Sequence, residues 1–121
     1  MELSLDDIAE LTWLWHDAEV SKIELAYDAK NGASVVVFSE INYEEDISVL
    51  KRWGISGRLV RVDYLHLFEV HINGFFSNSR LPTISYWNVQ KSGIYGIKSE
   101  IQCTNGENIQ VTSRSVFLSQ W

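Results

Sequence analysis

The most constraining feature of the sequence is the alternation over residues 58–74, RLVRVDYLHLFEVHING. Apolar or aromatic residues recur at every second position, a period that indicates a β-strand with one buried face. Leu65 and Leu67 lie at the opposite parity in the middle of the run. They predict either burial of both faces or a β-bulge near residues 65–68 that exchanges the faces.

Two Asn-Gly steps, at residues 31–32 and 105–106, predict tight turns between antiparallel strands. The first step separates residues 19–27, which alternate, from residues 34–42, which are rich in β-branched side chains. Residues 83–90 predict a further short strand. Since no strand–helix–strand rhythm occurs along the chain, a parallel sheet is disfavoured.

A short helix is predicted at residues 3–15, LSLDDIAELTWLW, where apolar residues follow the three-to-four spacing of a core-facing stripe. Ser4 and Asp7 have nearly the spacing of a capping box. A second short helix could run from about Asp46 to Trp53 and end at Gly54. The sequence therefore predicts an antiparallel α+β fold, mostly β, with about six strands in a sheet or sandwich.

Length and composition indicate one domain of 121 residues, with 45% hydrophobic and 21% charged residues. The first residues, MELSLDD, lack the basic and apolar regions of a signal peptide, and no apolar run approaches the ~20 residues that span a bilayer. We therefore expect a cytoplasmic protein that does not bind membranes. The single cysteine, Cys103, cannot form an internal disulfide, and we expect it to be a small buried hydrophobe.

Charge is distributed unevenly along the chain, whose net charge is −6. Residues 1–50 carry twelve acidic residues and two lysines (−10), whereas residues 51–121 carry eight basic and four acidic residues (+4). An acidic protein is poorly suited to binding nucleic acid, because such binding depends on neutralising phosphates. A basic protein partner would suit the charge, as would a purely solubilising role.

The segment WLWHDAEV, residues 13–20, combines two tryptophans with His16 and Asp17. A His–Asp pair is half of a catalytic triad, so a hydrolase built around it is one alternative. No nucleophile motif accompanies the pair. The structural interpretation is favoured: His16 ends the helix, Asp17 accepts bonds from backbone donors in the turn, and Trp13 and Trp15 fix this corner to the sheet.

The other two histidines, His66 and His71, are five positions apart and make a poor chelate in an extended chain. We expect no metal and no cofactor. His66 shares its parity with Tyr64, so the two could line the pocket of a β-barrel or sandwich that binds a small ligand. This is the main alternative to protein binding.

An acidic segment contains Glu44, Glu45 and Asp46, with Glu40 shortly before it. The segment could be a solvated loop or a docking surface for a basic partner. Trp53 follows closely, and a tryptophan beside a charged loop is typical of an interface anchor. The same residue could equally be the core plug of a short helix.

A resemblance to known proteins lies in the order of LWHDAEVSKIEL (14–25), a hairpin, RLVRVDYLHLFEV and the closing ENIQVTSRSVFLS. This order resembles small uncharacterised bacterial proteins, some of them grouped as immunity-type proteins of contact-dependent or polymorphic toxin systems. The resemblance implies a non-enzymatic protein that binds and neutralises a toxin domain. The acidic first half would suit a basic toxin domain.

Overall fold

The computed structural model describes residues 1–11, 15–30, 32–75, 82–94 and 96–121, without the side chains of Glu44 and Glu45. The predicted fold class is confirmed: the described chain is mostly β, with one antiparallel sheet of six strands, an N-terminal helix and a second short helix. The elements are α1 (Leu5–Leu11), β1 (Glu19–Asp28), β2 (Gly32–Glu40), α2 (Glu44–Leu50) continued by a 3-10 turn (Lys51–Trp53), β3 (Leu59–Asn73), β4 (Ile84–Ser92), β5 (Gly96–Cys103) and β6 (Asn108–Gln120).

The strand order is β1-β2-β3-β6-β5-β4, with the long strands β3 and β6 at the centre. The sheet curls until its two edge strands meet at one end. Glu19 and Thr83 form an antiparallel bridge there. The Val20 N–H donates to the Pro82 carbonyl at 2.8 Å, and the Ile84 N–H donates to the Ala18 carbonyl at 2.8 Å. This closure fixes the corner between α1 and β1 against the start of β4.

The β-bulge expected near residues 65–68 is confirmed. The pairing of β3 with β6 shifts register between Leu67 and Glu69, and His66 has a φ of 57°. Each extra residue exchanges the two faces of a strand, because the side-chain period is two. Before this shift, the left-handed φ of His66 already interrupts the alternation of β3, and Tyr64 is buried in the core while His66 is exposed.

The centre of the core holds three aromatic side chains from different elements. Trp15 and Trp87 meet edge to face, with ring centroids 5.3 Å apart. The Trp15 Nε1–H donates to Ser39 Oγ at 2.9 Å, and the Trp87 Nε1–H donates to Ser99 Oγ at 2.5 Å. The Tyr64 hydroxyl lies 2.9 Å from the same Ser99 Oγ. The expected role of Trp15 as a link between helix corner and sheet is confirmed, whereas Trp13 lies outside the described residues.

The two helices differ from their predicted bounds by a few residues. The first is described only over Leu5–Leu11, and residues 12–14 lie outside the description. Its capping box is present: the Asp7 N–H donates to Ser4 Oγ at 3.1 Å, and the Ser4 N–H donates to Asp7 Oδ2 at 3.0 Å. The bonds that the Ser4 N–H and the Ser4 hydroxyl donate to the Asp7 carboxylate lower the pKa of Asp7. The second helix begins at Glu44 rather than Asp46 and, after its 3-10 turn, ends at Gly54 with a φ of 82°.

Of the two predicted Asn-Gly turns, the second is described in full and the first only in part. Gly106 has a φ of 92° between β5 and β6, as the second turn requires. Asn31 lies outside the described residues, although Gly32 begins β2 with a φ of 66°. No helix among the described residues is long and apolar enough to span a membrane.

Cys103 is 2% exposed, which confirms the expectation of a buried cysteine. Burial, followed by the nearby charge of Glu107, raises the pKa of its thiol to about 12. Because the thiolate is the reactive form, the native protein should not react with Ellman's reagent at pH 8. One equivalent should react after unfolding in guanidinium.

The control for this thiol prediction is the isosteric substitution Ser56→Cys, since Ser56 is exposed. It should add one thiol that reacts within seconds in the folded protein. Rapid reaction of Cys103 in the folded wild-type protein would contradict the burial of this strand end.

Candidate functional site

Two segments that the sequence singled out separately meet at the closed end of the sheet. The Tyr43 hydroxyl donates to Asp17 Oδ2 at 2.9 Å. The amide of Asn42 donates to the backbone carbonyl of the same Asp17. The corner at residues 16–17 and the acidic segment that follows β2 therefore form one surface.

Asp17 has an unusual backbone conformation at this surface. Its φ is 66°, in the left-handed region that residues other than glycine seldom adopt. The conformation is held by the sheet closure, since the Asp17 N–H donates to the Ile84 carbonyl at 2.8 Å. Strained residues of this kind persist only where the surrounding structure determines them, and they cluster at functional sites.

Two further carboxylates lie on neighbouring strands at the same end. Glu19 of β1 is directly opposite Glu40 of β2, so their side chains share one face. This alignment arises from a bulge between Val20 and Lys22, which shifts the pairing by one residue. Like charges directly opposite each other destabilise a sheet. The chain thus keeps an unfavourable pair at this position.

We name this surface the acidic rim and define it by five residues: Asp17, Glu19, Glu40, Tyr43 and Asp46. The pKa of Tyr43 is raised, first by its hydrogen bond to Asp17 and further by the charges of Asp17 and Asp46. The rim therefore carries a negative potential at its aromatic residue. The predicted residues Glu44 and Glu45 precede Asp46 in the first turn of α2, although their side chains are not described.

Two nitrogen-bearing side chains, His16 and Arg58, border the acidic rim. His16 Nδ1 lies 3.1 Å from Asp17 Oδ2, with side-chain exposures of 56% and 43%. The Arg58 guanidinium donates to the carbonyls of Ile41 and Asn42 at 3.0 and 2.9 Å. Arg58 thus stabilises the backbone that follows β2.

The exposure of His16 and Asp17 bears on the hydrolase alternative. The pair lies at an open surface, and its partners among the described residues are Tyr43 and Asn42. Cys103 is buried with a raised thiol pKa, which makes it unsuitable as a nucleophile. The geometry favours the structural interpretation, with one difference: the Asp17 carboxylate accepts a bond from Tyr43 rather than from backbone donors in its own turn.

Trp53 is the core plug of its helix and not an exposed anchor. It is only 5% exposed, and the Arg52 guanidinium lies over its ring at 3.9 Å from the centroid. Arg52 also forms an ion pair with Glu10 of α1. The prediction that Trp53 anchors a partner is therefore wrong, because α1 and Arg52 cover the indole. Tyr43, which is 44% exposed, is the aromatic residue that the rim offers.

The predicted ligand pocket between Tyr64 and His66 is also wrong. Tyr64 is fully buried with its hydroxyl bonded to Ser99, and this burial raises the pKa of the phenol. His66 has a left-handed backbone conformation just before the bulge and is exposed. The two side chains lie on opposite sides of the strand, so they do not line one cavity.

The third histidine has its own partner. His71 Nε2 lies 2.6 Å from Glu69 Oε1 on the outer face of β3, and this contact lowers the pKa of Glu69. In the described part of the chain, no group of three or more His, Cys, Asp or Glu side chains is placed to hold a metal ion.

Sequence reasoning missed Glu19 and Tyr43. Tyr43 carried a weak signal, since an exposed aromatic residue beside three acids suits an interface. Glu19 carried none, because its position opposite Glu40 depends on the bulge in β1.

The Glu19–Glu40 pair predicts a stabilising substitution. Glu40→Lys should replace repulsion with attraction across the strands and raise the free energy of unfolding by about 0.2–1 kcal/mol. The gain should shrink in 1 M NaCl because salt screens exposed charges. Urea unfolding at low and high salt measures it. Glu69→Lys makes the same change of charge opposite Thr112, beside Lys98 and His71, and should give no gain.

Comparison of the chain with protein-family models, with curated proteins and with solved structures gave no match. The chain's own residues are therefore the basis for any functional conclusion.

Proposed function

We propose that this chain is a non-enzymatic protein-binding domain that docks a basic protein on the acidic rim. The observation that carries the proposal is the placing of four carboxylates at one end of the sheet: Asp17 and Asp46 lie near the Tyr43 hydroxyl, and Glu19 lies directly opposite Glu40. Complementary charge aids the encounter with a partner and the exclusion of wrong ones. The repulsion between Glu19 and Glu40 costs stability, and a purely structural role would not require it.

Tyr43 supplies an exposed aromatic ring that a partner can pack against, in addition to the charges of the carboxylates. Partly buried aromatic residues with a polar tip are enriched among the residues that dominate binding energy. The Tyr43 ring lies 6.1 Å from the ring of His16, so the two form a small exposed aromatic pair beside the carboxylates. A lysine or arginine of the partner could contact both the carboxylates and the ring face.

The specific form of the proposal is an immunity-type protein whose partner is a basic toxin domain. The similarity of residue order noted above supports this form, together with the net charge of −10 over residues 1–50. A toxin domain bound to the acidic rim could no longer contact its own negatively charged substrate.

Affinity capture from a lysate of the native cells, followed by mass spectrometry, would identify the partner. Calorimetry with the purified partner then compares the wild-type chain with Glu40→Lys, and Glu69→Lys is the control of equal charge. We expect Glu40→Lys to weaken binding about tenfold or more and Glu69→Lys to change it less than about twofold. Equal affinities for the two variants, or capture of no basic protein, would refute docking on the acidic rim.

A further inference from the structure

Strand β1 lies at the edge of the sheet, and within the described part of the chain only its start is paired on the outer side. The bond from the Val20 N–H to Pro82 closes that start. Beyond Val20, none of the described segments pairs with this edge. The four residues of Leu25–Asp28 are exposed, with Leu25 at 66% and Tyr27 at 82%. An exposed apolar edge is a template for pairing with another chain.

The open part of β1 is complementary to itself. In an antiparallel pair of two copies, side chains that face each other must come from the same face of the sheet. With Leu25 opposite Leu25 of the second copy, Ile23 is opposite Tyr27 on the apolar face. On the other face Lys22 is opposite Asp28. A two-fold axis repeats each of these contacts.

The neighbouring registers are unfavourable. A slip of two residues in one direction places Glu24 opposite Glu24. A slip of two in the other direction places Glu24 opposite Asp28. Like charges directly opposite each other oppose pairing. A slip of one residue sets the apolar face of one copy against the charged face of the other. Charge and apolar pattern thus select a single register over residues 22–28.

We propose that two copies of the chain associate through the outer edges of their β1 strands, antiparallel and centred on Leu25. The sheet then continues across the two copies, and the exposed Leu25 and Tyr27 side chains become covered. The Asp28 carboxylate accepts a bond from the Lys30 N–H at 2.8 Å. An ionised carboxylate has about four acceptor sites, so it can also receive Lys22 of the second copy. Lys22 pairs with Glu24 Oε1 of its own copy at 2.5 Å, and its ammonium has three donors, so it can bond to both carboxylates.

The interface is small, because one strand pair and three apolar contacts bury less area than a standard protein interface. We therefore expect a dimer with a dissociation constant of about 10–100 μM. Sedimentation equilibrium of the full chain across this range should show a reversible change from monomer to dimer.

A charge exchange tests the register. Lys22→Asp and Asp28→Lys should each lower the association constant about tenfold or more, because each places like charges opposite each other twice. The double variant should recover to within about threefold of wild type. An equimolar mixture of the two single variants should form a heterodimer of similar affinity, since both cross-strand pairs are then complementary.

Leu25→Glu is a second variant, at a position exposed enough to leave the fold intact. It should abolish association, and thermal unfolding of each variant confirms folding. A chain that stays monomeric at all concentrations would overturn the proposal. So would a dimer that the single charge variants leave unchanged, or one that neither the double variant nor the mixture restores.

Discussion

Replacing Trp15 with alanine should lower the free energy of unfolding by about 3–5 kcal/mol. Trp15 is 2% exposed, meets Trp87 edge to face and donates a hydrogen bond to Ser39. The substitution leaves a large cavity where the first helix, the sheet closure and β4 come together. Since a domain of this size has a total stability of about 5–15 kcal/mol, the variant should be close to unfolding.

Urea unfolding followed by circular dichroism measures this loss without depending on tryptophan emission. The control is Trp121→Ala, because Trp121 is 46% exposed and stacks on Phe38 at a centroid distance of 4.6 Å. Its loss should be below about 1.5 kcal/mol. A Trp15 variant as stable as the Trp121 variant would show that the helix corner does not depend on this side chain.

Ser99→Ala should have the second largest effect, a loss of about 2–4 kcal/mol. Ser99 is 2% exposed, and its hydroxyl serves both the Trp87 Nε1–H and the Tyr64 hydroxyl. Removal of that hydroxyl takes a hydrogen bond from each of two buried polar groups, which keep only the contact between Trp87 and Tyr64. Ser39→Ala removes a hydroxyl that bonds to Trp15 alone among the described side chains, so its loss should be about half as large.

A double-mutant cycle separates this hydrogen-bond pair from simple loss of packing. Tyr64→Phe should cost less in the Ser99→Ala background than in the wild type, with a coupling energy of about 1–2 kcal/mol. Chemical denaturation of the four proteins measures the coupling. Additive losses would mean that Tyr64 and Ser99 do not depend on each other.

Most of the fold was predictable because its signals are local. Alternation at residues 58–74 and the Asn-Gly step at 105–106 follow from side-chain direction and from turns that need a positive φ. Ser4 and Asp7 marked the start of the first helix through bonds within a single turn. Residues a few positions apart decide such features, so the sequence alone carries them.

The candidate site was predictable only in part. Glu40 and the acidic segment of residues 44–46 were evident from composition. The structure places Asp46 near Tyr43, whose hydroxyl bonds to Asp17, and sets Glu40 opposite Glu19. Trp53 was indistinguishable from an anchor, because amphipathic spacing does not reveal that Arg52 and the first helix cover it. Burial of a particular side chain depends on elements distant in sequence.

The sequence by itself determined the kind of element in each segment, the antiparallel class and the acidity of the first half. Tertiary structure alone decided which side chains became neighbours. An extra residue in β1 set Glu19 opposite Glu40 instead of opposite Ile41. In β3 an extra residue between Leu67 and Glu69 shifted the pairing with β6, and the left-handed φ of His66 accompanies its exposure beside the buried Tyr64. A shift of one residue reverses every later side chain of a strand, and the curl and closure of the whole sheet fix where that shift occurs.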